Sequence, residues 1–165
     1  MEYANNETLK EAAAEWLRDK EKAEEKYGPI EEWDVSKVTS MKELFFDADD
    51  KAKDFNEDLS QWNVSNVTDM EDMFYNCHSF NCDLSEWNTS NCTNMSATFF
   101  ACHSFNCDLS EWNTSKCTNT NGMFWHATSF NCDLSKWDMS KVEDKADMFT
   151  NAKRMKASHK PKGVE

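Results

Sequence analysis

Three cysteines recur at one position of a repeated pattern, and their spacing suits redox or metal chemistry better than any other set in the chain. Cys82, Cys107 and Cys132 lie 25 residues apart, and an earlier copy of the pattern has Glu57 at that position. Because glutamate is accepted there, we expect this column of residues to face solvent. Thiols stacked about 5 Å apart fall within the Cα range of a disulfide. They could also begin a soft-metal site, although no paired Cys-x-x-Cys spacing is present.

The total of seven cysteines is odd, and the chain starts without the basic-then-apolar pattern of a secretion signal. Both features favour free thiols in a reduced, intracellular compartment. The other four cysteines exchange with alanine or valine in equivalent copies, so we expect them to act as small buried hydrophobes. They are Cys77, Cys92, Cys102 and Cys117.

The histidines offer no catalytic arrangement. His78 and His103 occupy equivalent loop positions, His126 follows Trp125, and His159 lies near the C-terminal end. No pattern combines them with a nucleophile and a glycine-rich turn that could bind an oxyanion. The sequence therefore predicts a protein that is not an enzyme and that needs no metal or other cofactor.

A 25-residue repeat organises most of the chain. The segment 80–90 recurs without change as 105–115, and five copies, the first and last degraded, cover residues 33 to about 152. The tryptophans that mark the repeat are Trp62, Trp87, Trp112 and Trp137. A unit this short cannot bury its own apolar side chains, so successive copies must stack and share one core.

Stacking turns each repeat position into a column of like residues. One column is acidic, and each carboxylate in it needs compensation, which we expect from backbone N–H groups in the following turn. Calcium is an alternative, but no ligand-dense loop accompanies the acids. This column consists of Asp58, Asp83, Asp108 and Asp133. A second column should form an amide ladder between copies, and it consists of Asn56, Asn81, Asn106 and Asn131.

The local patterns predict an α/β solenoid that is leucine-rich-repeat-like, with an N-terminal α-helical cap. Each 25-residue coil should hold one short strand at Leu-Ser-x-Trp and one helical turn at Met-x-x-Met-Phe, where Thr68 provides an N-cap. We expect residues 1–29 to form the capping helix, helical over 6–27 from a capping box at Thr8. Residues 30–152 should form the five-coil solenoid, and residues 153–165 a basic flexible tail.

Composition limits the partners. The formal net charge of -13 disfavours phosphate backbones and anionic lipid, and no apolar run is long enough to span a membrane. We expect a flat, mostly acidic strip to contact a partner protein of basic character, and a plain solvated face is the alternative. The strip consists of Gln61, Glu86, Glu111, Lys136, Asn63, Asn88, Asn113 and Asp138.

The repeat Phe-Asn-x-Asp-Leu-Ser-x-Trp-Asn-Val-Ser-Asn-Val-Thr-Asp-Met-x-x-Met-Phe resembles that of BspA-like leucine-rich-repeat surface proteins, over residues 27 to about 150. The resemblance implies an adhesion or protein-interaction module. This chain departs from that repeat at three positions, where it has cysteine and the repeat usually has glutamine. The sequence thus favours a non-enzymatic protein-protein interaction or scaffold module, of the kind that can serve as a subunit of a larger assembly. A cell-surface adhesin, or a thiol-based redox or metal-handling protein, is the alternative.

Overall fold

Two helices form the N-terminal part of the computed structural model, which describes residues 2–3, 5–46 and 51–164. Helix α1 (Asn6–Arg18) begins after Asn5, whose Oδ1 accepts the N–H of Thr8 at 3.0 Å. Helix α2 (Lys20–Tyr27) begins after Asp19, whose carboxylate accepts the N–H of Lys22. The prediction of one helix over 6–27 is therefore wrong at Asp19, because this short acid caps α2 and takes an extended φ of -157°.

Helix α1 packs on the first repeat. Trp16 meets Trp33 edge to face with ring centroids 5.6 Å apart, and Leu9 is fully buried. The Oδ1 of Asn6 accepts the backbone N–H groups of Thr39 and Ser40 at 3.0 and 3.1 Å. The helix thus satisfies donors of the first repeat that no earlier copy can reach.

Successive repeats are joined by backbone hydrogen bonds that run from one copy to the next. Alternate N–H groups of one copy donate to carbonyls of the following copy: Met70 to Asn94, Asp72 to Ser96, Phe74 to Thr98 and Asn76 to Phe100, at 2.9–3.0 Å. Thr68, Thr93 and Thr118 each donate back to the threonine before them at 2.8 Å. These bonds hold the copies in register, and we call residues 33–46 and 51–152 the repeat stack.

The predicted α/β solenoid with a strand and a helical turn in every coil is wrong. Among the described residues no strand forms, and parallel pairing between repeats is limited to isolated bridges such as Asp69–Asn94 and Asn94–Asn119. Beyond α1 and α2, the helical structure in this part of the chain is two three-residue 3₁₀ segments, Ile30–Glu32 and Ala157–His159. The predicted leucine-rich-repeat-like fold is therefore wrong as well.

Two local features explain the absence of those elements. At the predicted strand, the N–H of Trp87 bonds to the carbonyl of Leu84, which closes a tight turn. At the predicted helical turn, Asp72 and Ala97 have φ angles of 55° and 48°. A left-handed residue there ends any right-handed helix and turns its N–H toward the neighbouring copy. Bonding between copies thus replaces helical bonding within a copy.

The core is built from columns of aromatic rings that run along the stack. Phe74, Phe99 and Phe124 stack with centroids 5.6 Å apart. A second column lies against the first, with Phe105 4.0 Å from Phe99. The repeat tryptophans are 3–5% exposed, and the indole of each donates to a backbone carbonyl at 2.9–3.0 Å, as Trp87 does to Leu59. Each ring column therefore joins all copies into one core.

The C-terminal segment covers the last repeat, which differs from the predicted flexible tail at 153–165. The N–H of Lys156 donates to Asn131 Oδ1 at 3.0 Å, and the carbonyl of His159 accepts the N–H of Leu134 at 2.8 Å. Lys160 lies over the ring of Phe149. The last repeat presents polar groups that an additional copy would satisfy, and these residues take that place.

Thr120 is expected to be a stability defect in the core. It is fully buried in the column of Met70 and Met95, and its Oγ1 has no hydrogen-bond partner among the described residues. The substitution Thr120→Val should raise the free energy of unfolding by about 1–3 kcal/mol, because the isosteric methyl removes an unsatisfied hydroxyl. Urea denaturation followed by circular dichroism measures this. The matched control Thr98→Val should lose stability, because the Thr98 hydroxyl bonds to the carbonyl of Met95 at 2.8 Å. A Thr120→Val protein no more stable than the parent would contradict the prediction.

Candidate binding groove

The cysteines predicted to face solvent are mostly covered. Cys82 and Cys107 are 9% and 8% exposed, and Cys132 is half-buried. The prediction of a solvent-facing thiol column is therefore wrong at Cys82 and Cys107. Each sulfur accepts the backbone N–H of the leucine in the preceding copy, Leu59, Leu84 and Leu109 respectively, at 3.1–3.2 Å. Glu57 is accepted at the equivalent position because its side chain reaches Lys20 at 2.8 Å instead.

The environment of these thiols suppresses their reactivity. Burial raises the pKa of Cys107 to about 12 and that of Cys132 to about 11, and it raises the pKa of Cys82 as well. The neighbouring aspartates add to the shift. Because the thiolate is the nucleophile and the metal ligand, the geometry assigns these sulfurs a hydrogen-bonding role between copies. No disulfide forms among the seven cysteines in the described residues, and the described part of the chain contains no group of three or more His, Cys, Asp or Glu side chains that could hold a metal ion.

The acidic column lies at the surface and is held in one conformation. Oδ1 of each aspartate accepts the N–H of the serine two residues later at 2.9–3.0 Å, in Asp58, Asp83, Asp108 and Asp133. At Asp58, Asp83 and Asp108 this backbone bond is the largest cause of a lowered pKa, and at Asp133 the pKa is lowered first by the hydroxyl of Ser135. The column is therefore ionised at neutral pH. A thiol from the next copy adds a long contact to the first three.

The asparagine column runs beside the acids and forms a ladder between copies. The Oδ1 atoms of Asn56, Asn81 and Asn106 accept the backbone N–H of the asparagine in the next copy at 2.8–2.9 Å, and Asn131 does the same for Lys156. This leaves the Nδ2 donors of the column without a protein hydrogen bond in the residues that the structure describes. These amide donors and the exposed carboxylates beside them are available to a ligand.

The two columns line a groove that crosses the repeats. One section of it, about 400 Å³ in volume, lies between the copies of Asp58 and Asp83 and is bordered by Gln61 and Glu86. It continues past Asp108 to a section of about 340 Å³ bordered by Lys136. Four ionised aspartates, with Glu86, make its surface potential negative, and Lys136 is the cation at its far end.

Three members of the predicted strip border this groove, and all eight are exposed. Gln61, Glu86 and Lys136 line the groove itself. Glu111 and the four positions Asn63, Asn88, Asn113 and Asp138 are also exposed. In these last four, Oδ1 accepts the N–H of the serine two residues later at 2.9–3.1 Å. Their main role is therefore in the local turn, and the charged members of the strip remain free to contact a partner.

One column of surface residues was not predicted from the sequence. Phe46, Tyr75, Phe100 and Trp125 each follow a phenylalanine of the core column, and they stack on the outside of the protein, with 4.3 Å between the centroids of Tyr75 and Phe100. Because the four residues differ in type, the repeat comparison did not reveal them. Their shared aromatic character at equivalent positions was the available signal.

These observations define a class: a stacked-repeat protein with an aromatic core, a surface groove lined by one amide and one carboxylate per repeat, and no helix among the described residues that is long and apolar enough to cross a membrane. The family model described as "Mycoplasma protein of unknown function, DUF285" matches residues 20–95 and, in a second alignment, residues 48–161. The chain belongs to this family. Comparisons with curated proteins and with solved structures found no match.

Proposed function

We propose that the protein is a non-enzymatic interaction module that holds a basic segment of a partner protein in its acidic groove. The observation that carries this proposal is the row of four ionised, surface-exposed aspartates beside a row of asparagines whose Nδ2 donors make no hydrogen bond among the described residues. An extended peptide offers the complementary set, since its side-chain cations can meet the carboxylates and its backbone carbonyls can meet the amides.

The construction of the groove favours recognition. Both columns are fixed by backbone hydrogen bonds, so their side chains lose little conformational freedom when a partner binds. The resemblance to BspA-like repeats points to the same class of function. The scaffold role, the adhesin alternative and the absence of enzymatic activity stay predictions from the sequence.

The test is the binding of a fluorescent nonalysine peptide, followed by anisotropy at 50 and 200 mM salt, with nonaglutamate as the negative probe. Nonalysine should bind and should weaken as salt rises. The double variant Asp83→Asn and Asp108→Asn keeps the local turns, because asparagine makes the same bond. It should weaken binding by about tenfold, as expected when two partly desolvated charge contacts are lost.

The matched control is Glu143→Gln with Asp144→Asn, which removes the same charge from exposed positions outside the groove. This control should change the affinity by less than about twofold, because long-range attraction is screened at 200 mM salt. Equal weakening by both double variants would mean that the peptide responds to net charge alone, and the groove proposal would then fail.

A further inference from the structure

The last copy of the repeat carries a row of backbone donors that have no partner. In the copies before it, the equivalent N–H groups donate to carbonyls of the following copy, as Thr120 does to Asp144 and Gly122 to Ala146. No copy follows the last one, and in the part of the chain that the structure describes its four N–H groups make no hydrogen bond. We call them the donor row, which consists of the N–H groups of Lys145, Asp147, Phe149 and Asn151.

The two ends of the repeat stack are covered to different extents. At the first copy helix α1 closes the end, and the Oδ1 of Asn6 accepts the N–H of Thr39 at 3.0 Å. At the last copy the C-terminal segment, residues 153–164, bonds to Asn131 and Leu134 and leaves the donor row open. An open row of backbone groups at the edge of a stack is a template for pairing with another chain.

The donor row borders a cleft of about 290 Å³ between the last copy and the C-terminal segment. Residues 145–150 form one wall, and Gly163 and Val164 form the other. The charged residues that line it are Lys145 and Asp147, one of each sign, so the lining has no net charge. The cleft shares no lining residue with the acidic groove. It is therefore a separate site with a different chemical character.

The donor row offers donors with no free acceptors between them. The carbonyls of Ala146, Met148 and Thr150 accept N–H groups of the preceding copy at 2.8–2.9 Å, and those of Asp147 and Phe149 accept N–H groups of local turns. An ordinary β-strand is a poor occupant, because the N–H and C=O of each edge-facing residue point to the same side. Its N–H groups would meet the donors of the row. A suitable occupant presents acceptors at alternate residues and no donors on that side.

We propose that this cleft binds an extended segment of a partner protein in which every second residue is proline. Alternate residues of an extended chain face the same way, so the proline carbonyls match the two-residue spacing of the donor row. Proline has no N–H, and no donor of the segment then opposes the row. The uncharged pyrrolidine rings also suit a lining that is electrically balanced and includes Phe149 and Val164.

Two other occupants fit the donor row less well. A second copy of this chain offers the matching carbonyls at its first repeat, and α1 covers that end. A small anion would gain from a row of aligned N–H groups, but it would meet the exposed carboxylate of Asp147. A neutral segment that is rich in acceptors avoids both obstacles.

The test is a titration of the isotope-labelled full chain with a neutral, end-blocked octapeptide that alternates threonine and proline, followed by amide NMR. Titration to about 5 mM covers a contact of this small size. The four amides of the donor row should shift downfield as they gain acceptors. At ten times the dissociation constant their hydrogen exchange should slow by about tenfold, because exchange then requires the free protein. The equivalent amides of the preceding copy, which are already bonded, should not change.

A control peptide with alanine in place of each proline restores an N–H at every facing residue and should bind several-fold more weakly. The variant Ala146→Trp should abolish the shifts, because the indole occupies space that the peptide needs. The matched control Ala14→Trp lies at an exposed position of α1 and should leave the affinity unchanged. Away from the substituted positions, both variants must keep the amide spectrum of the parent.

Three results would overturn the proposal. The first is the absence of shifts in the donor row at the highest concentration of the proline peptide. The second is equal binding of the alanine peptide, or binding that Ala146→Trp leaves intact. The third is a shift of the same four amides with protein concentration alone, which would identify a second copy of the chain as the occupant.

Discussion

Replacing Trp87 with alanine is expected to lower the free energy of unfolding by about 3–5 kcal/mol. Trp87 is 4% exposed, its ring stacks on Trp112 with centroids 6.3 Å apart, and its indole N–H donates to the carbonyl of Leu59 at 3.0 Å. The substitution creates a cavity between two copies and removes a bond that joins Trp87 to the preceding copy. Because adjacent copies share one core, the loss affects the coupling between repeats as well as the repeat that carries it.

Urea denaturation followed by circular dichroism measures this change without relying on the tryptophan signal. Trp87→Phe should lie between the parent and Trp87→Ala, since it keeps an aromatic ring and loses the hydrogen bond. Glu86→Ala is the neighbouring control, and its exposed position predicts a change within about 0.5 kcal/mol. If Trp87→Ala cost less than about 1 kcal/mol, the tryptophan column could not be part of the core.

Phe99→Ala should be at least as damaging, with a loss of about 3–5 kcal/mol. The fully buried ring lies 4.0 Å from Phe105 and 5.6 Å from both Phe74 and Phe124, measured between centroids. Phe99 therefore joins the two phenylalanine columns at the middle of the stack. The rings of the adjacent repeats cannot move into the cavity left by Phe99, because each of them is already stacked on another ring of its own repeat.

A double-mutant cycle separates ring contact from general loss of volume. Phe99→Ala combined with Phe105→Ala should show a coupling of about 0.5–1.5 kcal/mol, the range for an aromatic pair in contact. The comparison pair is Phe99→Ala with Phe45→Ala, which lie on separate levels with Phe74 between them. That pair should be additive within about 0.5 kcal/mol. The slope of the free energy of unfolding against urea concentration must be the same for all variants. A changed slope would indicate that the stack no longer unfolds in one step. Coupling in the distant pair equal to that in the contacting pair would contradict the column description.

Much of the candidate site followed from column comparison. The asparagine ladder, the compensated aspartates and the buried tryptophans were predictable, because stacking at a fixed period forces equivalent residues together whatever the local backbone does. Cys82 and Cys107 were placed wrongly because alignment with Glu57 implied exposure. Glu57 extends to Lys20, whereas cysteine at the equivalent position accepts a backbone N–H, so one position accommodates both.

The local backbone was the part that local patterns could not predict. Met70, Met73 and Phe74 have helical spacing, and Leu84 to Trp87 has strand-like composition, yet neither segment forms the expected element. Each N–H group has a competing acceptor in the next copy, and the left-handed conformation of Asp72 is acceptable because it makes the bond to Ser96 possible. That acceptor is distant in sequence, and it comes within hydrogen-bonding reach when the copies stack.

The chain's amino-acid order alone was enough to establish a repeat of 25 residues, its number of copies, the residues that share a core and the acidic character of the exposed columns. These properties depend on periodicity and composition, which stacking preserves. The backbone conformation of each copy, the burial of the cysteines, the path of the C-terminal segment and the arrangement of rings on the surface were settled by tertiary contacts. They depend on hydrogen bonds and packing between copies, whose energies exceed the weak local preferences of any 25-residue unit.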